Sequence, residues 1–440
     1  MLHRIGLPWR AIHLQLMPST AVIAWLVLLS ASVPSLAQTT VGGGSPPPSP
    51  RDQGDLGEVV VTAQRRKENI QDVPVSAEVV GGLALQQQNI ESLSTLSEIT
   101  PDVHIEPHPR SGDLYIRGIG SGENHSFDQS VGTFIDDIYH GRARSLIAGT
   151  FLDLDRVEVL KGPQSTFFGN NAIAGAISIV TKKPGDTFEG YARALYGEYQ
   201  QYAAEAAAGG PVNEWLGLRI AATANGFGGW IKNVNTGENE PRQNNAAARI
   251  TAVARPTKDL DITLKLEGNV DRQMSATYFQ LMGCPPAVPF APAGFCSVAL
   301  AEGLPTGLDT DENAKKPGDG TRLSENEYVL TANYHQWGQT FSSVTGYYNY
   351  HFQLNIDGDL TPNPLLTAQA PERYDQFSQE FRITSPVNQT IEYLAGAYLQ
   401  SDSLHFEQAF SYFFLSPAIS GAPPLAPSRS LSAPGSGHAL

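Results

Sequence analysis

Residues 152–184, LDLDRVEVLKGPQSTFFGNNAIAGAISIVTKKP, decide the reading of this chain. They hold two β-prone runs. In 156–160, Val157 and Val159 share one face and Arg156 and Glu158 the other; in 176–181 the isoleucines alternate with Ser178. Between the runs, Gly162-Pro163-Gln164-Ser165 is a turn signal and Gly169-Asn170-Asn171 tolerates positive φ. A glycine-rich link between strands also suits a phosphate cradle. Here no Gly-Lys-Ser/Thr follows and the next element reads as a strand, which disfavours that chemistry.

The wording of this stretch resembles the end of the plug domain of TonB-dependent outer-membrane receptors. There an acidic-Arg-Val-Glu-Val, a Gly-Pro, a Phe-Gly and a Gly-Ala-Ile-x-Ile-Val-Thr follow one another, and each feature is present in 153–181. The likeness continues upstream through LYIRGIG (114–120) and GTFIDDIY (132–139), covering about 130 residues in separated motifs. The resemblance implies an α+β plug domain followed by an antiparallel transmembrane β-barrel, which the family closes with about 22 strands. It also implies active uptake of a scarce, bulky ligand, energised by TonB and its inner-membrane complex.

Bulk composition argues against several other classes. The chain has 440 residues, 41% hydrophobic and only 17% charged, a low charge density for a soluble enzyme. A net charge of −15 argues against nucleic acid as a partner. After residue 40 no apolar run is long enough for a spanning helix, a test that barrel strands evade because they hide hydrophobicity in alternate positions.

Residues 1–37 read as a signal peptide: Arg4 and Arg10 make a basic region, 21–33 an apolar core, and Ser35-Leu36-Ala37 a cleavage site. An uncleaved anchor is the alternative, shorter than a bilayer span needs. Residues 38–56 are a Gly/Ser/Pro-rich linker. Residues 57–63 follow as a short apolar run that, taken alone, reads as an ordinary first strand. Its position, after a tether and before the plug motifs, resembles the TonB box, which assigns TonB recruitment to Glu58, Val59, Val60, Val61, Thr62 and Ala63. Such a segment can add itself to the edge of another protein's sheet. The roughly twenty residues before it leave no room for the family's signalling domain, an expectation that favours transport over transcriptional signalling.

Residues 64–185 are then the plug. A strand is expected at 73–76, helix at 83–88 and 90–99 with Leu93, Leu96 and Ile99 on one face, and strands at 103–105, 114–116 and 133–138. Residues 186–415 change to long alternating strands, at about 188–197, 199–209, 214–226, 244–255, 259–271, 325–336, 339–354, 375–385 and 389–410. Short turns such as Gly210-Pro211-Val212-Asn213 alternate with long links at 227–243, 272–324 and 355–374; in outer-membrane barrels the short side faces the periplasm. Tyr347, Tyr348 and Tyr350, with Tyr393 and Tyr398, suit an interfacial girdle, or else packed core. Nine strands make an incomplete barrel, whose open edge is costly in lipid. The sequence therefore reads as a receptor carrying only its first wall strands, with 416–440 a loop-like tail.

Two plug tips are chemically suited to a ligand. One is 121–130, SGENHSFDQS, with His125, Phe127 and Asp128; the other is His140-Gly141-Arg142-Ala143-Arg144, where Arg142 and Arg144 suit carboxylate or catecholate oxygens. The competing reading of the arginines is an ion pair with wall residues such as Glu205 or Glu267. Arg117, Arg156, Glu158 and Lys161 lie in the motifs themselves and are expected to make plug-to-wall salt bridges. His125 with Asp128, and Asp136-Asp137 with His140, invite a metal reading, but strand alternation would aim Asp136 and Asp137 to opposite faces, and iron would arrive already chelated. No resident metal or cofactor is implied.

Cys284 and Cys296 flank a Pro/Ala-rich segment. In an exported protein they are expected to form one disulfide, and two thiols without a neighbouring His leave zinc short of ligands. Ser165 lacks the Gly-x-Ser-x-Gly spacing of a hydrolase, so no enzyme is expected. The function implied is uptake of a ferric siderophore across the outer membrane of a Gram-negative bacterium. Partners are TonB, the chelated iron and outer-membrane lipid; a carbohydrate, cobalamin or aromatic nutrient, or a non-transporting fragment, are the alternatives.

Overall fold

The computed structural model describes residues 60–62, 65–66, 68–71, 73–107, 112–122, 128–142, 151–169, 171–275, 280–284, 295–307, 310–387, 389–412 and 431–435. The segments read as signal peptide and linker lie outside them.

The plug is α+β. Its main sheet orders β3 (Ser76–Gly81), β9 (Leu154–Lys161), β10 (Gly175–Thr181), β7 (Val131–Ile135) and β8 (Ile138–Tyr139), with β10 antiparallel to β9 and parallel to β7. Both runs of the decisive stretch are its central strands. Val157, Val159, Ile177 and Ile179 are almost wholly buried, yet so are Glu158 and Ser178, because the sheet is covered on both faces. The turn between the runs holds a one-turn helix, Ser165–Phe168, where strand had been expected to follow directly; Gly169 and Asn171 do take positive φ.

Helix α1 (Gly82–Gln87) lies close to its expected place. Helix α2 (Leu93–Ile99) starts later than apolar spacing indicates, because Ser92 and Thr95 form a reciprocal capping box. Leu93 and Leu96 are buried against the sheet, whereas Ile99, expected on their face, is 42% exposed. A second small sheet joins β4 (Val103–Pro107), β5 (Gly112–Ile116) and β6 (Ile119–Gly120), and β1 (Val60–Val61) pairs with β2 (Glu68–Asn69). The strand expected at 133–138 is broken: Asp136 and Asp137 both have positive φ and turn β7 into β8 as a two-residue hairpin.

The second part is one antiparallel meander. It runs β11 (Glu189–Tyr196), β12 (Tyr202–Pro211), β13 (Leu216–Phe227), β16 (Arg242–Thr257), β17 (Leu260–Met274), β19 (Gly320–Gln336), β20 (Gln339–Asp357), β21 (Leu366–Thr384) and β22 (Leu394–Tyr412). These are the nine expected strands, lengthened at the long-link side from β13 onward. A tenth, β23 (Leu431–Gly435), pairs with β22 within the tail that had read as loop. The long links are also partly folded: β14 (Ile231–Asn233) joins β15 (Asn239–Glu240) and β18 (Glu312–Asn313), and Cys284 is bonded to Cys296 with Cα atoms 5.4 Å apart.

The polarity of this wall is inverted relative to a soluble sheet. Ile220, Ile250, Leu264, Leu330 and Phe377 are 41–49% exposed on one face, while Arg219, Arg249, Lys265, Glu327 and Glu372 are buried on the other. Apolar out and polar in is the barrel pattern. Period two separates the tyrosines: Tyr347 faces out at 38% exposure, whereas Tyr348 and Tyr350 face in and pack with Tyr374. The girdle expectation therefore fails for that inward pair. Among the described residues no helix is long and apolar enough to cross a membrane.

Candidate functional site at the plug and wall

The buried charges of the wall meet the plug at two places. On one side Asp153, at the entrance to β9, accepts from Arg219 at 2.6 and 2.7 Å. Arg249 donates to the carbonyls of Leu152 and Asp153 at 2.7 and 2.6 Å. Leu152 beside them packs on Ala207, Ala221 and Ala247, three small inward residues that let the plug approach the wall backbone. Arg193 extends the contact to Glu91 at 3.4 Å.

On the other side the hairpin tip divides its two acids between two wall cations. Asp136 meets Lys265 at 2.8 Å and accepts from the Thr181 N–H and hydroxyl at 2.9 and 2.8 Å. Asp137 meets Arg382 at 2.9 Å and Arg65, on the plug's own N-terminal segment, at 2.6 Å. Burial works to raise both carboxyls; the facing cations outweigh it and hold both below the usual carboxylate range. His140 Nε2 lies 3.1 Å from Glu327, and Gln376 donates to the Tyr139 carbonyl at 2.8 Å. Ile138 enters a notch of Val329 and Val344. The notch needs Gly346, since a Cβ there would stand 2.4 Å from Ile138 Cδ1.

The N-terminal segment is docked. Val61 is fully buried, and Thr62 donates its N–H and hydroxyl to Glu158 at 2.8 and 3.0 Å. Arg65 lies over the rings of Phe134 and Phe168, and Arg66 reaches Glu392 at 2.8 Å. Of the TonB-box residues, Val60, Val61 and Thr62 are described; Glu58, Val59 and Ala63 lie outside the described residues.

The four motif charges expected at the boundary pair inside the plug instead. Arg117 meets Ser76 and Asp102, Arg156 meets Asp155 and Glu158, and Lys161 meets Glu78. Arg156, Glu158 and Lys161 sit on the central strand β9, which the plug's own layers cover, and Arg117 sits in the exposed turn between β5 and β6. The boundary belongs to hairpin tips and strand entrances, so Asp136, Asp137 and Asp153 take the role. Sequence reasoning had considered the first two only as metal ligands and passed over the third. The readable signal was a cation at an inward position of each alternating strand, at Arg219, Arg249, Lys265 and Arg382.

Of the ligand candidates, Asp128 and Arg142 are brought together and His125, Phe127 and Arg144 lie outside the described residues. The Asp128 carboxyl takes Asn171 Nδ2 at 3.0 Å and stands close to Gly141, where a Cβ would lie 3.0 Å from its Cγ. Partial desolvation pushes this carboxyl up; the Arg142 guanidinium opposes the shift and Asp402 adds to it. The group lines a cavity of about 540 Å³ between plug and wall, shared with Arg65, Tyr139, Arg382 and Gln400. Arg142 is buried, and the wall acids Glu205 and Glu267 meet Arg193 and Arg249.

An α+β plug held by ion pairs against an inside-polar antiparallel wall is the arrangement of a plugged barrel, with the described wall an open sheet of ten strands. Residues 69–176 match the TonB-dependent receptor plug domain. The pesticin receptor of Yersinia pestis is 23% identical over 370 residues, 81% of this chain and 50% of that protein. Among solved structures, the ferric yersiniabactin uptake receptor of Yersinia pestis superposes with a TM-score of 0.64 at 19% identity, covering 77% of this chain and 50% of the other. The ferripyoverdine receptor of Pseudomonas aeruginosa gives 0.62 at 15% identity, covering 86% and 50%. By these matches the chain is similar to TonB-dependent receptors and carries their plug domain at 69–176, and it spans about half the length of the relatives it matches.

Proposed function

We propose that this chain is the plug and adjoining wall of a receptor for TonB-driven uptake of a ferric siderophore. The observation that carries the reading is the continuity from tether to gate. Arg65, three residues beyond Thr62, holds Asp137, which in turn is held by Arg382 of the wall. A pull on residues 58–63 would first part Thr62 from Glu158, then draw Arg65 off Asp137, leaving the hairpin tip with fewer bonds to the wall. Asp128 offers an acceptor on the cavity side with the buried Arg142 guanidinium acting on its carboxyl, a charge pair whose exchange suits the oxygen-rich periphery of an iron chelate. Relatives named for pesticin, ferric yersiniabactin and ferripyoverdine favour a siderophore over other nutrients.

Deleting residues 58–63 in the receptor with its complete barrel tests this. Accumulation of a radiolabelled ferric siderophore should vanish while surface binding of the same chelate persists. Uptake that survives the deletion overturns the mechanism, and growth rescue by a carbohydrate or cobalamin but not by iron chelates overturns the ligand class.

A further inference from the structure

The guanidinium of Arg65 sits in a cage. Its Cζ lies 4.8 Å from the ring centroid of Phe134 and 4.6 Å from that of Phe168, and the two rings are 5.0 Å apart and tilted at 59°. Nη1 donates to Asp137 at 2.6 Å and Nε to the Phe167 carbonyl at 3.1 Å, so one cation meets two rings, a carboxylate and a carbonyl. That set of partners recognises guanidinium and ammonium groups in general. Nothing in it is particular to Arg65, which reaches it from the N-terminal segment at a φ of +60°, a conformation that residues with a side chain adopt at a cost.

The cage gives onto the cavity of about 540 Å³ between plug and wall, which Arg65, Phe134, Asp137 and Phe168 all line. The other charged residues of that lining are Asp128, Glu380, Asp402 and Arg382. With Arg65 seated, four acids stand with two arginines; with Arg65 drawn away on its tether, four acids stand with one. A cavity dominated by acids between low-dielectric walls concentrates cations. The seat that Arg65 leaves belongs to the plug body, since Phe134 is on β7 and Phe168 in the one-turn helix, both buried and neither on the pulled segment. A cationic group of the cargo can take the same partners, and while it holds them Arg65 cannot return.

We propose that this cage, occupied by Arg65 at rest, is a binding site for a guanidinium or primary ammonium group carried by the transported chelate. The site rests on the uptake reading for the moment at which Arg65 leaves, and it narrows the cargo to chelates that bear such a group. Two measurements test it in the refolded receptor with its complete barrel. Arg65→Ala empties the cage, and millimolar N-ethylguanidinium chloride should then raise the unfolding temperature saturably, relative to the same concentration of sodium chloride. Wild type, with Arg65 in place, and R65A/F168L should show no such rise. In uptake, an iron chelate with a free primary amine should accumulate about five-fold faster than its N-acetylated form, and F168L should remove the difference. If R65A does not refold, the uptake comparison decides. A response of R65A no greater than that of R65A/F168L, or equal uptake of the two chelates, overturns the proposal and leaves TonB-driven uptake standing. Uptake of neither chelate, with a saturable response in R65A, keeps the cage and overturns the uptake reading instead.

Discussion

Two of the ion-paired contacts between plug and wall, at Asp153 and at Asp137, differ in burial. Asp153 and Arg219 are 1% and 2% exposed, and their partners lie on β13 and β16, far along the chain from the N-terminal segment. Asp137 keeps 39% of its side chain exposed, and one of its two cations, Arg65, belongs to that segment. A buried bidentate pair resists both water and pull, whereas a half-open pair shared with the tether can be exchanged. Under the proposed uptake mechanism, this contrast makes the Asp153 side the anchor and the Asp137 side the point of release.

The largest expected effect breaks the anchor. Asp153→Asn keeps size and the positive φ of Asp153 but leaves Arg219 buried with only the half-exposed Glu189 nearby. Removing one partner of a buried pair costs about 3–5 kcal/mol, measurable as a drop in guanidinium unfolding midpoint of the refolded protein. Asp137→Asn should cost about 1 kcal/mol or less, because solvent already screens that pair. Equal losses in the two variants would remove the distinction between the sides. Next in size, Gly346→Ala drives a methyl against Ile138, at about 1–3 kcal/mol by overpacking. A second change, Ile138→Val, should recover part of that loss, since it removes the Cδ1 in the way.

The sequence made the central plug strands legible because the motif residues and the alternation of 156–160 and 176–181 agree. It made the nine wall strands legible because their outward apolar period is two. What it hid has physical causes. Glu158 and Lys161 alternate with valines and look like surface groups, but a strand covered on both faces buries its polar side chains against the plug's own segments, here Thr62 and Glu78. Asp136-Asp137 continues an alternating run by letter; only backbone sterics, two residues at positive φ, make it a turn. Tyr347, Tyr348 and Tyr350 form a cluster in sequence that strand geometry divides between lipid and lumen. The Asp128 and Arg142 pairing was readable only as two tips with complementary charge.

A smaller effect sharpens the release side. Thr62→Val removes the hydroxyl bond to Glu158 but keeps the backbone one, a loss of about 1 kcal/mol. Amide exchange at residues 60–62 should speed up about five-fold, with residues 154–161 unchanged. Acceleration in both segments would mean that the latch is part of the plug core.

The smallest effects are in pH and have opposite signs at two plug carboxyls. Asp137 is held below its ordinary value when folded, so it stabilises the contact at neutral pH and that contribution is lost as pH falls through the folded value, below the usual carboxylate range near ~4. Asp128 is raised when folded, so its contribution is greatest in acid and declines as pH rises through the folded value. At pH 7, therefore, Asp137→Asn should lower protection of residues 131–139 against amide exchange and Asp128→Asn should raise it slightly. On acidification, with intrinsic exchange corrected, the Asp137 difference should shrink because the wild type has lost the same bond. A fall in protection for both variants at pH 7 would mean that Asp128 is held by Arg142 more strongly than its desolvation opposes it, and the cavity-side pair would then rank with the anchor.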